Sequence, residues 1–295
     1  NTLKIKNLDN VCILGLGLVG GSLALALESA EIEVIRTGWS RSESTRDFAC
    51  ENAVVDKVYD TPEEAVREAG VVVLAGPISC FAGQFKQIAD FLPKGCIVTD
   101  VGSTKRQVAK WAKKYLPDHV DFVGSHPMAG SEQQGIEFAR GDLFNGGFCF
   151  VTPTEESKAS SVTVMKQIWQ ALNMKVIEMT SQEHDQTVAM ISHLPHIIAA
   201  SLVNISDLKQ IVYCGKGFLD TTRIASGPEN VWRDILMTNS SNTARSIDKL
   251  IKDLTRYRDM LKAKDADAIE SKLLDARQRR NELVEIKMQR KELPE

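Results

Sequence analysis

The apolar positions of the first 180 residues fall in short β-branched runs separated by amphipathic stretches. Val11-Cys12-Ile13-Leu14, Val34-Ile35, Val71-Val72-Val73-Leu74, Cys96-Ile97-Val98-Thr99, Phe122-Val123, Phe148-Cys149-Phe150-Val151 and Lys175-Val176-Ile177-Glu178 predict strands. Near-continuous hydrophobic runs belong to strands covered on both faces, and their alternation with helical stretches is the pattern of βαβ units building a parallel sheet. Thr61-Pro62-Glu63-Glu64 is the clearest helix start between them, a capping box with proline at the first helical position. After Thr180 the β-branched runs stop, and residues 181–295 read as almost wholly helical. The chain therefore predicts two domains, residues 1–180 and an all-helical 181–295. In the last stretch Ile247, Leu250, Ile251, Leu254, Tyr257 and Leu261 recur at helical spacing. That stripe either packs on its own domain or meets a second copy.

Composition narrows the function classes. With 295 residues, 43% of them hydrophobic, the chain can bury a full core. Charges nearly cancel, 36 basic against 39 acidic, so no long-range field draws the molecule to nucleic acid or anionic lipid. The six cysteines lie far apart without a CxxC pair, most of them inside apolar runs, and read as reduced core residues of a cytoplasmic protein. No apolar run approaches the roughly 18 residues of a membrane span, and residues 1–10 lack a signal-peptide pattern. The first residue is Asn1, which leaves open whether a leader was removed.

Directly after the first strand run stands Gly15-Leu16-Gly17-Leu18-Val19-Gly20, then a helical run. Gly15 suits the tight turn out of the strand, Gly17 the close approach of backbone to a pyrophosphate, and Gly20 the packing of helix on strand. With a strand before it, a helix after it and a second strand beyond, the motif predicts a Rossmann-type doubly wound sheet binding a nicotinamide dinucleotide. Where an NAD enzyme places a carboxylate against the ribose 2′-hydroxyl, the chain reads Gly38-Trp39-Ser40-Arg41-Ser42. Ser40, Arg41 and Ser42 could hold a 2′-phosphate, so NADP is expected over NAD; the alternative is a solvated helix start with Ser42 as its N-cap. The expected cofactor-binding set is Gly15, Gly17, Leu18, Val19, Gly20, Ser40, Arg41, Ser42, Pro77 and Ser103.

Later strand ends carry Asp100-Val101-Gly102-Ser103-Thr104-Lys105 and Gly124-Ser125-His126-Pro127-Met128-Ala129-Gly130-Ser131-Glu132. In open α/β sheets ligands bind outside the carboxyl ends of strands. His126 has the titration range for proton abstraction near neutral pH, though taken alone it could be a structural loop histidine. His193-Leu194-Pro195-His196 spaces two histidines as a helical metal site would, but no third ligand pattern accompanies them, and no metal is expected. The proline there should kink or start a helix and present His196 to the cleft.

Together GSHPMAGSE, DVGSTK, SHLPH and DTTRIASGPENVW, in that order, resemble the prephenate/arogenate dehydrogenase family of tyrosine biosynthesis, over nearly the whole chain. The resemblance implies oxidative decarboxylation of a cyclohexadienol, hydride passing to NAD(P), by a homodimer whose helical C-terminal domain dimerises. It also implies roles: His126 as general base, Ser103 bonded to the ring hydroxyl, and Arg223 gripping a substrate carboxylate. His196, Glu132, Trp232 and Asp220 match further pocket residues. Without the resemblance, Arg223 reads as a helix-surface ion pair. Leu219 stands where relatives commonly carry a basic residue, and because the sequence runs out in its helical stretch, the regulatory domain that some relatives add is not expected. Two other readings remain: a hydroxy-acid or imine dehydrogenase of the same two-domain plan, and a nicotinamide-binding regulatory protein that has lost the chemistry.

Overall fold

The computed structural model describes residues 4–5, 8–129 and 133–290. Eight strands form one sheet in the order β3-β2-β1-β4-β5-β6-β7-β8. They are β1 Asn10–Leu14, β2 Ile35–Trp39, β3 Lys57–Val58, β4 Val71–Leu74, β5 Ile97–Asp100, β6 Asp121–Pro127, β7 Phe148–Pro153 and β8 Lys175–Glu178. Every residue of β1, β4, β5 and β6 is buried, as their unbroken apolar runs require of strands with helices on both faces. Two hydrophobic clusters lie on opposite faces of the sheet: alternate residues of β1 divide between them, Val11 and Ile13 on one side and Cys12 and Leu14 on the other.

The sheet is not wholly parallel. β7 runs antiparallel to β6, pairing His126 with Phe150. The connection between them holds only the 3₁₀ turn Ile136–Phe138 among its described residues, whereas a parallel return is usually made through a crossover helix. The next strand returns parallel to β7 through the helix Ala159–Ala171. The two-residue β3, too short to give an alternation signal, was not legible in the sequence. At Thr61 the side chain accepts the Glu64 N–H (3.3 Å) with proline next in line. The full reciprocal capping box forms at Thr180 and Glu183, where the helical part begins.

Three of the six cysteines, Cys12, Cys96 and Cys149, are core residues; Cys50 and Cys80 are exposed and Cys214 is half-buried, so the reading of a cysteine-lined core holds for half of them. The expectation about apolar runs also needs correction. Ser181–Ile205 is a continuous helical stretch long and apolar enough, by length and composition, to cross a membrane. It is composed of the helix Ser181–Val188, the π turn Ala189–His193 and the helix Leu194–Ile205. Its histidines His184, His193 and His196 are buried polar groups of the candidate site.

The chain divides into two compact units, residues 1–242 and 243–295. The first contains the sheet and the helices up to Glu229–Thr238, and Asp185, Thr238 and Asn239 all bond within it. The second is a helical hairpin, the rest of Ser240–Ala263 followed by Ala266–Gln289, turned at Lys264 (φ 55°) and capped by Asp265. Lys272 ties the two helices by reaching Asp253 (2.6 Å) and the face of Tyr257. No residue of Ala266–Gln289 is buried, and Ile251, Leu254, Leu261 and Leu273 each leave more than half their surface exposed.

Candidate active site

The carboxyl ends of β1, β4, β5 and β6 bring the singled-out motifs to one edge. Backbone pairing continues one residue beyond the strands, Gly15 N–H to Trp39 O, Ala75 N–H to Leu14 O and Val101 N–H to Leu74 O. The glycine turn, the Gly76-Pro77 turn and the Ser103 loop are therefore neighbours, at the switch point where β1 is flanked by β2 and β4. Gly15 adopts φ 112°, and a Cβ there would lie 2.6 Å from Gly76 N. A Cβ on Gly20 would lie 1.9 Å from the Gly15 carbonyl oxygen, so helix Leu18–Ser29 can approach the turn only with glycine there. A Cβ on Gly17 meets nothing within 4 Å. The open side of the turn is thus at Gly17, at the N-terminus of a helix with no acidic residue in its first turn and no side-chain cap. Such an end suits a phosphate, and these residues fit a dinucleotide.

Beyond β2, Ser40 is half-buried and Arg41 and Ser42 are exposed. Arg46 donates to the carbonyls of Ser40 (2.9 Å) and Arg41 (3.3 Å), holding the turn. Ser42 precedes the helix Glu43–Glu51, but its hydroxyl bonds Ser44 and does not cap. The guanidinium of Arg41 has no partner among the described residues.

His126 sits at the end of β6. It is 8% exposed, packed beside Phe150 and His184. Its Nδ1 lies 2.8 Å from His184 Nε2, and His184 Nδ1 lies 2.8 Å from Asp185 Oδ1. Asp185 also accepts the backbone N–H groups of Lys105 (2.8 Å) and Arg106 (3.0 Å). The buried side-chain atoms without partners among the described residues include Gln84 Oε1, Asp100 Oδ1 and His196 Nδ1. His126 Nε2 has no hydrogen-bond partner among the described residues, so the ring is anchored through Nδ1 alone.

Beneath it Lys105, itself buried, pairs with the buried carboxylate of Asp100 and donates to Ser125 O (2.6 Å). Burial pushes Asp100 up and Lys105 down, against their mutual attraction. Ser125 is pinned further, its hydroxyl taking bonds from Thr99 and from Trp169 Nε1, both at 3.0 Å. The residue before the histidine cannot shift without breaking three bonds. Ser103 is half-buried on the same loop, between Gly102, which donates to Asp100, and Thr104, bonded to Thr238 (2.8 Å).

Four of the five histidines gather here. Burial holds His126 well below its ordinary 6.5, reinforced by His184, Lys105 and His193. Burial lowers His184 against the pull of Asp185, takes His193 down to about 4, and lowers His196 against its hydrogen bond to the Ile224 backbone carbonyl. His196 stacks on Trp232 with ring centres 3.6 Å apart, and His193 meets the same indole edge-on. Pro195 does not break the chain's helical path; it falls in the first turn after the π turn, where its missing N–H costs nothing. His196 is consequently buried against Trp232 and not presented openly to the cleft.

Arg223 begins the 3₁₀ turn Arg223–Ser226, which packs on Leu194–Ile205. It is exposed and forms no ion pair among the described residues. Asp220 and Leu219 are exposed on the helix Lys216–Thr222. Glu132 lies outside the described residues. Sequence reasoning missed His184, Asp185 and Lys105. The signal for the first two was present: an adjacent His-Asp pair one turn into a helix opened by Thr180 and Glu183, in a chain with only five histidines.

A glycine turn at the switch point of a doubly wound sheet, with a histidine at the carboxyl end of another strand of that sheet, is the plan of a dinucleotide-dependent oxidoreductase. Residues 23–178 match the nucleotide-binding domain of prephenate dehydrogenase, and residues 180–275 match its dimerization domain. The chain belongs to the prephenate dehydrogenase family. It is 34% identical over 266 residues to the prephenate dehydrogenase of Bacillus subtilis (strain 168), covering 88% of this chain and 72% of that protein. It is 31% identical over 265 residues to the cyclohexadienyl dehydrogenase of Zymomonas mobilis, covering 88% and 90%. Among solved structures, prephenate dehydrogenase from A. aeolicus in complex with hydroxyphenyl propionate and NAD+ superposes with a TM-score of 0.87 at 27% identity, over 93% of this chain and 98% of that one. Synechocystis arogenate dehydrogenase gives 0.82 at 26%, over 93% and 99%.

Neutral buried histidines make the fold acid-sensitive. Each lowered histidine binds fewer protons folded than unfolded, so below its ordinary 6.5 the unfolded chain takes up more protons and stability falls with pH. From its value of about 4, His193 alone removes on the order of 2 kcal/mol by about pH 5. Urea unfolding is expected to show a lower midpoint at about pH 5 than at about pH 7.5 with unchanged slope, and His193→Gln to lessen that difference. An equal drop in the variant would remove His193 as a contributor.

Proposed function

We propose that this protein oxidises and decarboxylates prephenate or arogenate, with a nicotinamide dinucleotide as hydride acceptor and His126 as general base. The observation that carries the reading is the unpartnered Nε2 of His126, a neutral imidazole at the carboxyl edge of the sheet in a chain of this family. When bound, the nicotinamide supplies the acceptor for hydride from the hydroxyl-bearing ring carbon. His126 Nε2 takes the hydroxyl proton as carbonyl character develops there. The ring carboxylate then leaves as carbon dioxide, its bonding pair aromatises the ring, and His126 returns the proton to the phenolic oxygen.

Ser103 holds that hydroxyl, its own having no partner among the described residues. Arg223, unpaired, grips a substrate carboxylate through its planar fork. His196 offers a buried, unpartnered Nδ1 beside Trp232. Asp220 and Glu132 complete the substrate set. Dinucleotide binding belongs to residues 1–180, with Gly15, Gly17, Leu18, Val19, Gly20 and Pro77 around the pyrophosphate turn; substrate contact and dimerisation belong to residues 181–295. Ser40, Arg41 and Ser42 favour NADP over NAD. A cytoplasmic location fits the free cysteines.

A homodimer is supported by the dimerization-domain match and by the exposed apolar residues Ile205, Leu208, Val212 and Tyr213 together with those of the hairpin. Sedimentation equilibrium is expected to give about twice 32.6 kDa; a monomer at micromolar concentration would contradict it. Prephenate and arogenate, each assayed with NAD and with NADP, are expected to give reduced nicotinamide in at least one pairing, and silence in all four would favour the regulatory reading. In the active pairing His126→Asn should lower kcat by about 10²–10⁴-fold with little change in KM; near-normal turnover would remove His126 from the role. For the cofactor, kcat/KM is expected to be higher with NADP, and Arg41→Ala to erase most of that advantage. A strong NAD preference, or an unaffected variant, would refute the assignment of Arg41.

A further inference from the structure

The hydrogen-bond chain behind His126 has a direction. Asp185 is 1% exposed, and its two oxygens are fixed by the amides of Lys105 and Arg106. An oxygen that already accepts a backbone N–H presents lone pairs, not a proton, to its next neighbour, so His184 Nδ1 donates to Asp185 Oδ1. A neutral imidazole carries one N–H. His184 is kept neutral by burial, so its Nε2 is bare and must accept from His126 Nδ1 at 2.8 Å. His126, neutral for the same reason, then has its lone pair on Nε2.

We infer that His184 is a positioning residue for the base: anchored by Asp185, it keeps the proton of His126 on Nδ1 and leaves Nε2 free to accept. Two imidazoles in series transmit the orientation set by one carboxylate, in the manner by which a triad carboxylate fixes a single ring. The inference rests on the reading of His126 as the base, and it adds which nitrogen acts and what keeps it available. Phe150 lies against both rings, centred 6.3 Å from His126 and 5.4 Å from His184, and blocks the rotation that would exchange partners. The other charged or titratable groups acting on the pair are Lys105 and His193. Lys105 opposes protonation of either ring and provides no competing acceptor.

The same carboxylate connects the base to the loop bearing Ser103, because the amides it holds are those of Lys105 and Arg106, two and three residues further on. A shift of helix Ser181–Val188 would move the base and the hydroxyl-binding serine together.

The test is histidine ¹⁵N NMR on the intact protein, with kinetics on the variants. In the wild type at neutral pH, His126 should carry its proton on Nδ1 and show an unprotonated Nε2, and His184 the same. His184→Phe removes the acceptor behind His126 at similar volume; the proton should move to Nε2. Its kcat should fall about 10²–10³-fold with substrate KM within about threefold, and affinity for the dinucleotide, read by fluorescence, should be unchanged. His184→Gln, whose carbonyl reaches the place of Nε2, should restore the wild-type tautomer and most of the rate. A wild-type His126 protonated on Nε2 would overturn the inference, and needs no variant to fold. So would a His184→Phe enzyme with near-normal kcat when His126→Asn is inactive. Should His126→Asn itself retain turnover, the base assignment fails while the NMR result still reports the tautomer.

Discussion

The side chain of Asp185 joins three parts of the molecule that are distant in sequence: the helix after β8, the loop after β5 and, through His184, the end of β6. Its carboxylate is buried, and a buried carboxylate persists only where hydrogen bonds replace its water. Two backbone amides and an imidazole N–H supply that replacement. Loss of the side chain would strand those donors out of water, at about 1–3 kcal/mol for each. The cost of burying the charge and the placement of the His126 ring are therefore one arrangement, and the packing of the helical segment on the sheet edge is what holds it. Thr104 with Thr238, and Asn239 with the Asp185 carbonyl, brace the same contact.

Burial also decides the charge state in which the site operates. Four imidazoles held neutral form a poor environment for any further cation, and Lys105 below them is itself compensated by Asp100. In the proposed reaction, a base that is neutral at rest can take the hydroxyl proton and return it once the ring aromatises, which a ring already protonated at neutral pH could not. The burial that keeps His126 neutral also makes the fold sensitive to acid.

Much of the sheet was legible because its strands are buried on both faces and write themselves as unbroken apolar runs; Val71–Leu74 is the clearest. The glycine turn was legible as a spaced motif after a strand run; added Cβ atoms at Gly15 and Gly20 would clash with neighbouring backbone, while Gly17 stands open. The reversal of β7 was not, since strand direction is set by the path of a connection and leaves no periodicity in the strand. His126 stood out by its place after a strand run and by the family resemblance of its motif. His184 and Asp185 formed a visible adjacent pair near a helix start, but their partners lie 58 and 79 or 80 positions away in sequence, and local pattern does not say with what such a pair bonds. Likewise, the apolar stretch around SHLPH gave no hint that a π turn would absorb its proline.

The central claim is that the His126 ring, anchored through Nδ1 and without a partner at Nε2 among the described residues, meets the hydroxyl of the reacting ring through Nε2. A crystal structure of this protein with an oxidised nicotinamide dinucleotide and a hydroxyphenyl analogue of the product tests it most directly. The account requires His126 Nε2 within about 3 Å of the phenolic oxygen, the carbon bearing that oxygen facing the nicotinamide, and the bond from Nδ1 to His184 intact. A phenolic oxygen held by other groups, with the ring at position 126 turned from it, would contradict the account.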